Sequence, residues 1–168
     1  VSNQSKHIIM YIPKYKNFYF GSLASTNKKS FFLKNSFLTQ VGIKQKNFDK
    51  VQIEEFNASL ITLDSLKIKT DLIKIDVEGH ELEVIEGALN TIEHFKPIII
   101  IEINKNNFKK VLALLLTKDY LLSIYDNKIF KLITYPDVNN FDFLKFEKWL
   151  KQNKYNVNNC FFYHKDKV

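Results

Sequence analysis

The chain has 168 residues, 45% of them hydrophobic, which suits one domain with a single core and excludes two full domains. Its longest apolar stretches, 98–101 and 111–116, are much shorter than the roughly 20 residues of a membrane-spanning helix, so we expect no membrane span. Cys160 is the only cysteine, which excludes an internal disulfide and favours a cytoplasmic location.

The net charge of the chain is +7, from 25 basic and 18 acidic residues. A basic chain raises the question of nucleic-acid binding. The basic residues are all lysines, however, and they are scattered along the chain, whereas arginine is best suited to bidentate contacts with phosphates and base edges. We therefore expect no nucleic-acid partner.

The first part of the chain, residues 1–70, predicts a hairpin followed by an irregular segment. Two extended runs flank a polar loop, and a lysine-rich segment without a clear period follows them. In chain order, we expect extended runs at 7–12 and 18–23, the irregular segment at 26–50, an extended segment at 51–62 and a turn at 64–66.

Residues 71–104 predict a βαβ core. Leu72–Val77 is a short β-branched run that ends before Gly79, and apolar residues then recur at steps of three and four from His80 to Phe95. A second apolar run, at 98–101, completes a strand, a helix and a strand in about 33 residues, which is typical of a right-handed parallel βαβ unit. Because both strands are apolar on both faces, we expect both to be buried.

Residues 105–168 predict further helices and strands of the same α/β domain. The polar pair Asp126-Asn127 is a turn that can join only antiparallel neighbours. We expect helices at 107–118 and 141–151 and strands at 121–125, 128–134 and 160–164. The sequence thus predicts one mixed domain over 1–168.

Acidic residues follow both strands of the predicted βαβ core. Asp76 and Glu78 come after the first strand and Glu102 after the second, where ligands bind in open parallel sheets. Paired carboxylates there could act as a general base, hold a divalent cation between Asp76 and Glu102, or accept hydrogen bonds from hydroxyl groups. The alternative interpretation is that these acids are solvated strand ends and helix caps.

Lys74 precedes Asp76 by two residues, on the same face of a strand that we expect to be buried. A buried lysine needs a partner, and Asp76 and Glu102 are the obvious ones, in a functional cluster or in a structural ion pair. Gly79 predicts a positive φ and a close approach of a ligand to the backbone. His80 could carry a proton, but a surface position is the simpler interpretation.

The segment Asp71-Leu-Ile-Lys-Ile-Asp-Val-Glu-Gly-His-Glu81, followed by Leu82-Glu-Val-Ile-Glu-Gly-Ala88 and Lys96-Pro-Ile-Ile-Ile-Ile-Glu102, resembles the FkbM-type methyltransferase family. Thr62-Leu63-Asp64 upstream also resembles a family segment. Asp119 precedes Tyr120 where the family usually has glycine, an exchange that a left-handed aspartate tolerates. The resemblance covers roughly residues 8–125.

This resemblance implies a class I, Rossmann-like fold: a mostly parallel, seven-stranded sheet with helices on both faces. It implies an enzyme that uses S-adenosylmethionine to methylate a hydroxyl group of a sugar or another small metabolite. We expect Asp76 as the first candidate base and Glu102 as the second, with Glu78 and Lys74 supporting them, and we expect Gly79 and Asp76 to contact the cofactor.

The family's glycine-rich cofactor loop and the acidic residue that binds the ribose have no counterpart before Ile8. We therefore expect the chain to correspond to the second half of the family's fold and to lack its first strands. The alternative function is a non-catalytic fragment or degenerate paralogue that acts as a binding module. An exposed sheet edge would then favour an oligomer or a complementing partner chain.

Overall fold

The computed structural model describes residues 1–32, 37–77, 79–102, 106–155 and 158–167. Its contacts group these residues into two compact units, one formed by 5–60 and the other by 1–4 together with 61–168. The organisation of 1–168 as one domain stays a prediction.

The unit formed by residues 5–60 is a three-stranded antiparallel sheet with the order β2-β1-β3. The predicted hairpin is present, but β2 has only two residues and the main partner of β1 is β3, paired from Lys6↔Leu60 to Tyr15↔Val51. A small core of Phe31, Leu38 and Ile43 forms where the sequence has no clear period. The bounds are β1 Lys6–Tyr15, β2 Phe18–Tyr19, α1 Phe37–Gln40 and β3 Val51–Leu60, with 3-10 turns at Gly21–Leu23, Lys28–Phe32 and Gln45–Lys50.

The other unit contains the predicted βαβ core and the carboxyl-terminal elements, with a 3-10 turn at Asp64–Leu66 before them. In chain order its elements are β4 Leu72–Ile75, α2 Glu81–Glu86, α3 Leu89–Phe95, β5 Ile98–Glu102, α4 Phe108–Leu116, β6 Tyr120–Asp126, β7 Lys131–Thr134, α5 Phe143–Gln152, β8 Asn159–His164 and a last 3-10 turn, Lys165–Lys167.

The five strands of this unit form a mixed sheet with the order β4-β5-β8-β6-β7. β4 and β5 are parallel, as predicted, and β6 and β7 form the predicted antiparallel hairpin. The expectation of a mostly parallel sheet is wrong for the described strands, because β8 lies between β5 and β6 and is antiparallel to both. Asp119, before β6, has the left-handed φ of 62° that its place in the motif requires.

The strands of the core bury one face rather than two. Ile73 and Ile75 of β4 are buried with Ile99 and Ile101 of β5, in a cluster that also contains residues of the helices. The opposite face of β4 exposes Leu72 and Lys74, and its neighbours on β5 are half-buried. The expected burial of both faces is therefore wrong for β4, which is an edge strand.

The predicted helix over 80–95 is two helices, with Gly87 between them. A Cβ at Gly87 would lie 1.9 Å from the carbonyl oxygen of Ser2, so only glycine admits this approach of the backbone. Asp64 donates its N–H to the Gly87 carbonyl at 3.0 Å. At this break, the backbone of Ser2 and that of Asp64 both contact the segment between α2 and α3.

No helix in the described ranges combines the length and the apolar character that crossing a membrane requires.

Candidate functional site

Asp76 and Glu102 lie at the carboxyl ends of two neighbouring parallel strands, as the sequence predicts. The last residue pair of the β4–β5 ladder is Ile75↔Ile101. Asp76 directly follows Ile75, and Glu102 directly follows Ile101. Lys74 Nζ donates a hydrogen bond to Asp76 Oδ2 at 2.8 Å. That bond and the charge of Asp76 raise the pKa of Lys74, and the charge of Glu102 raises it further. The structure therefore brings Lys74, Asp76 and Glu102 together.

Lys74 is an exposed member of this cluster, and the expectation that it is buried is wrong. Its side chain is 56% exposed and that of Asp76 is 52% exposed. Lys74 lies on the exposed face of the edge strand β4. An exposed pair of this kind contributes little to folding. With its raised pKa, Lys74 remains a cation at neutral pH and orients Asp76 rather than exchanging a proton.

Glu78, the remaining predicted site residue, lies outside the described residues. Its neighbour Gly79 has the predicted positive φ, 96°. The Gly79 N–H donates to Glu81 Oε1 at 2.8 Å, and its carbonyl accepts from Asn107 Nδ2 at 3.1 Å. The backbone of this turn is therefore already hydrogen-bonded within the protein.

Glu81 and Asn107 form a polar contact that connects the ends of the two parallel strands. Glu81 is only 1% exposed, and its Oε2 accepts a hydrogen bond from Asn107 Nδ2 at 2.5 Å. Glu81 begins the helix after β4, and Asn107 immediately precedes the helix after β5. The contact thus fixes the turn after Asp76 relative to the segment after Glu102.

Sequence reasoning missed the role of Glu81. An acid in the first turn of a helix is usually a solvated group that complements the helix dipole, and no pattern in the chain distinguishes Glu81 from Glu83. Asn107 gave a clearer signal, because asparagine is a frequent residue at helix starts. His80 is exposed, with Nδ1 3.8 Å from the carboxylate of Glu83.

An open groove of about 510 Å³ lies on the exposed face of the five-stranded sheet and includes Lys74. Lys74, Ile100 and Phe161 form one row across β4, β5 and β8. The groove therefore lies beside the carboxylates that follow β4 and β5. Its lining residues are Lys74, Ile100, Tyr125, Asn127, Lys128, Lys154, Tyr155, Asn158, Asn159 and Phe161.

The described residues do not form a complete site for S-adenosylmethionine. The chain's four glycines are separated from one another by at least seven residues, so they make no glycine-rich loop. Gly79 bonds to Glu81 and Asn107, and the space at Gly87 is filled by the Ser2 backbone. The carboxylates after β4 and β5 offer acceptors for a ligand's hydroxyl or ammonium groups. The assignment of Gly79 and Asp76 to the cofactor stays a prediction.

A metal site is a separate question. Within the described ranges, no group of three or more histidine, cysteine, aspartate or glutamate side chains is placed to hold a metal ion. Asp76 and Glu102 alone would leave most of the coordination sphere of a divalent cation to water.

The comparison with curated proteins and the comparison with solved structures each gave no match. A family model described as the methyltransferase FkbM domain matches residues 1–157, which include every element described here up to α5. The matched residues include both parallel strands, Asp76 and Glu102, and all of the lining residues of the groove except Asn158, Asn159 and Phe161. The chain therefore belongs to the FkbM methyltransferase family.

Proposed function

We propose that this chain forms the acceptor side of a methyltransferase that methylates a hydroxyl group on a sugar or another small metabolite. Membership of the methyltransferase family implies a methyl donor. The observation that carries the acceptor role is the placement of Asp76 and Glu102 beside an open groove, with Lys74 in contact with both the groove and Asp76.

The residues of this chain would bind the hydroxyl group and receive its proton. Oδ2 of Asp76 accepts a hydrogen bond from Lys74, and within the described residues Oδ1 has no hydrogen-bond partner. Oδ1 would accept the hydrogen of the hydroxyl group and weaken its O–H bond, while Lys74 keeps the carboxylate in place. Glu102 is the second candidate base. The turn after Asp76 is held by Glu81 and Asn107, which reduces the reorganisation needed before reaction.

Replacing Asp76 tests this role. We expect Asp76→Asn to lower the rate of methyl transfer to a hydroxyl acceptor by about 100-fold, the lower range for loss of a general base. Asp71→Asn is the matched control, because Asp71 is an exposed acid just before the opposite end of β4. The measurement is transfer of labelled methyl groups from S-adenosylmethionine. An unchanged rate in Asp76→Asn would refute the assignment.

A second candidate function is a binding module that acts without methyl transfer. The incomplete S-adenosylmethionine site favours it, as does the position of β4 at the edge of the sheet. Calorimetric titration of S-adenosylmethionine into the chain separates the two candidates. Binding at micromolar concentration supports the enzyme, and absence of binding up to millimolar concentration supports the module.

A further inference from the structure

We infer that the groove beside Lys74 binds acceptors that carry an anionic group on a hydroxylated ring, such as a sugar phosphate or a sugar acid. This inference deepens the proposed function and rests on it for the identification of the ligand as an acceptor. A volume of about 510 Å³ lies within the range of sites that hold small molecules.

Two lysines give the groove its positive charge. Lys128 and Lys154 line it, and within the described residues neither ammonium group is paired with an acid. The third lining lysine, Lys74, is already neutralised by Asp76. A phosphate or carboxylate group would supply the missing counter-charge, and hydrogen bonds between charged partners are the stronger ones.

Asp126 is an acidic residue of the turn that contains Lys128, and within the described residues it forms no ion pair with Lys128 or Lys154. Asp126 is 8% exposed, and its Oδ1 accepts the backbone N–H groups of Lys128 and Ile129 at 2.8 and 3.4 Å. Burial, together with the charge and hydrogen bond of Asp126, raises the pKa of Tyr155. The carboxylate of Asp126 is thus engaged in shaping the turn, while the two ammonium groups remain available to a ligand.

The walls of the groove suit a hydroxylated ring. Tyr125 and Phe161 have ring centroids 6.3 Å apart at 48°, which forms an aromatic wall on the sheet. Three asparagines on the rim, Asn127, Asn158 and Asn159, can each donate and accept hydrogen bonds with hydroxyl groups. Aromatic surface next to amides matches a sugar ring, which has apolar C–H faces and a polar edge.

The position of Lys74 relates this groove to the chemistry. Because Lys74 lines the groove and bonds to Asp76, a ring in the groove can present a hydroxyl group to the carboxylate. The anionic group would then bind at Lys128 and Lys154. The two lysines would select the acceptor, and Asp76 would act on it.

The test is calorimetric titration of the full chain with glucose 6-phosphate, glucuronate and glucose. We expect both anions to bind at least about tenfold more tightly than glucose, because only the anions can form charged hydrogen bonds with the two lysines. Lys128→Gln/Lys154→Gln should abolish this preference. The control variant, Lys109→Gln/Lys110→Gln, removes the same amount of charge from the exposed side of α4, outside the groove. This variant should retain the preference for anions. Comparing the two anions tells a phosphate-selective site from a carboxylate-selective one.

A third variant tests the aromatic wall. Tyr125→Ala should weaken binding of glucose 6-phosphate and leave binding of inorganic phosphate unchanged, and circular dichroism checks that each variant is folded. Equal affinities for glucose and the anions, no binding of any sugar, or an equal loss in both lysine double variants would overturn the inference. No methyl donor is present in these titrations. If the chain binds the anions selectively but transfers no methyl group, only the proposed reaction is refuted. If it methylates neutral sugars and shows no selectivity for anions, only this inference is refuted.

Discussion

Asp64 holds the start of α3 although it lies 25 residues before that helix. Its Oδ1 accepts hydrogen bonds from the N–H and hydroxyl groups of Thr91, both at 2.8 Å, and its Oδ2 accepts from the N–H and amide of Asn90. The helix has no side-chain cap of its own, so Asp64 acts as its amino-terminal cap from a distant position.

We expect Asp64→Ala to lower the free energy of unfolding by about 1–2 kcal/mol, the usual cost of losing a cap. Urea denaturation at neutral pH measures this loss. Asp71→Ala serves as the control, because it removes an exposed acid close in sequence without removing a cap. Equal losses in the two variants would contradict the capping role.

The same contacts predict a dependence on pH. Burial would raise the pKa of Asp64, but the hydrogen bonds from Thr91 and Asn90 outweigh it and hold the pKa below its ordinary value. The stability that the charged carboxylate contributes is therefore fully present above about pH 4, the ordinary pKa of aspartate, and is lost as the pH falls through the lowered value. The difference between wild type and Asp64→Asn should shrink in denaturation curves measured at successively lower pH. A constant difference would refute this cause.

Glu81 is predicted to matter for stability more than any other acid in the first turn of α2. Glu81→Ala leaves the Gly79 N–H and the Asn107 amide without their acceptor, at a cost of about 2–3 kcal/mol. Glu83→Ala, in the same turn but with a partly exposed side chain, should cost much less. Thermal and urea unfolding of the pair measure this difference, and equal losses would argue against the buried contact.

At the scale of elements, the pattern of apolar residues predicted most strands and helices but not how they meet. The step of three and four residues continues unbroken from Leu82 to Phe95, so it could not show the break at Gly87. At that break the backbone of Ser2 occupies the space that a Cβ of residue 87 would need, and Ser2 is distant in sequence and contributes no periodic signal. Long-range backbone contacts of this kind are absent from a local pattern.

The candidate site was predictable to a similar degree. Asp76 and Glu102 follow from the rule that ligands bind at the carboxyl ends of parallel strands. The exposure of Lys74 did not follow, because an apolar run does not tell an edge strand from a central one. The groove could not be predicted from the sequence either, because its lining residues Tyr125, Lys128 and Lys154 come from separate parts of the chain.

Gly87→Ala tests the close approach of Ser2. The new methyl group would overlap the Ser2 carbonyl, so we expect the variant to lose about 1–3 kcal/mol, the usual cost of overpacking. Gly21→Ala is the matched control, because a Cβ at Gly21 meets nothing within 4 Å. Chemical denaturation of the two variants measures the loss in the free energy of unfolding that each causes. A Gly87→Ala protein as stable as Gly21→Ala would show that residues 1–4 do not pack there.

At the scale of the whole molecule, the edge strand β4 suggests self-association. Leu72 on this strand is 55% exposed, and an edge strand with apolar side chains is a template for pairing with another chain. We expect the wild type to form oligomers as its concentration rises and Leu72→Lys to reduce them, as measured by sedimentation velocity. Leu144→Lys, which places the same charge at a more exposed leucine on α5, should not. A wild type that stays monomeric at high concentration would contradict this prediction.

The position of Cys160 offers a way to measure how often the five-stranded sheet opens. Its thiol is fully buried on β8, a strand with neighbours on both sides, and burial raises the pKa of the thiol. The reactive thiolate can therefore form only when the middle of the sheet opens. Because the chain has no other cysteine, the rate at which a thiol reagent labels the protein reports how often the sheet opens. This measurement needs no engineered cysteine.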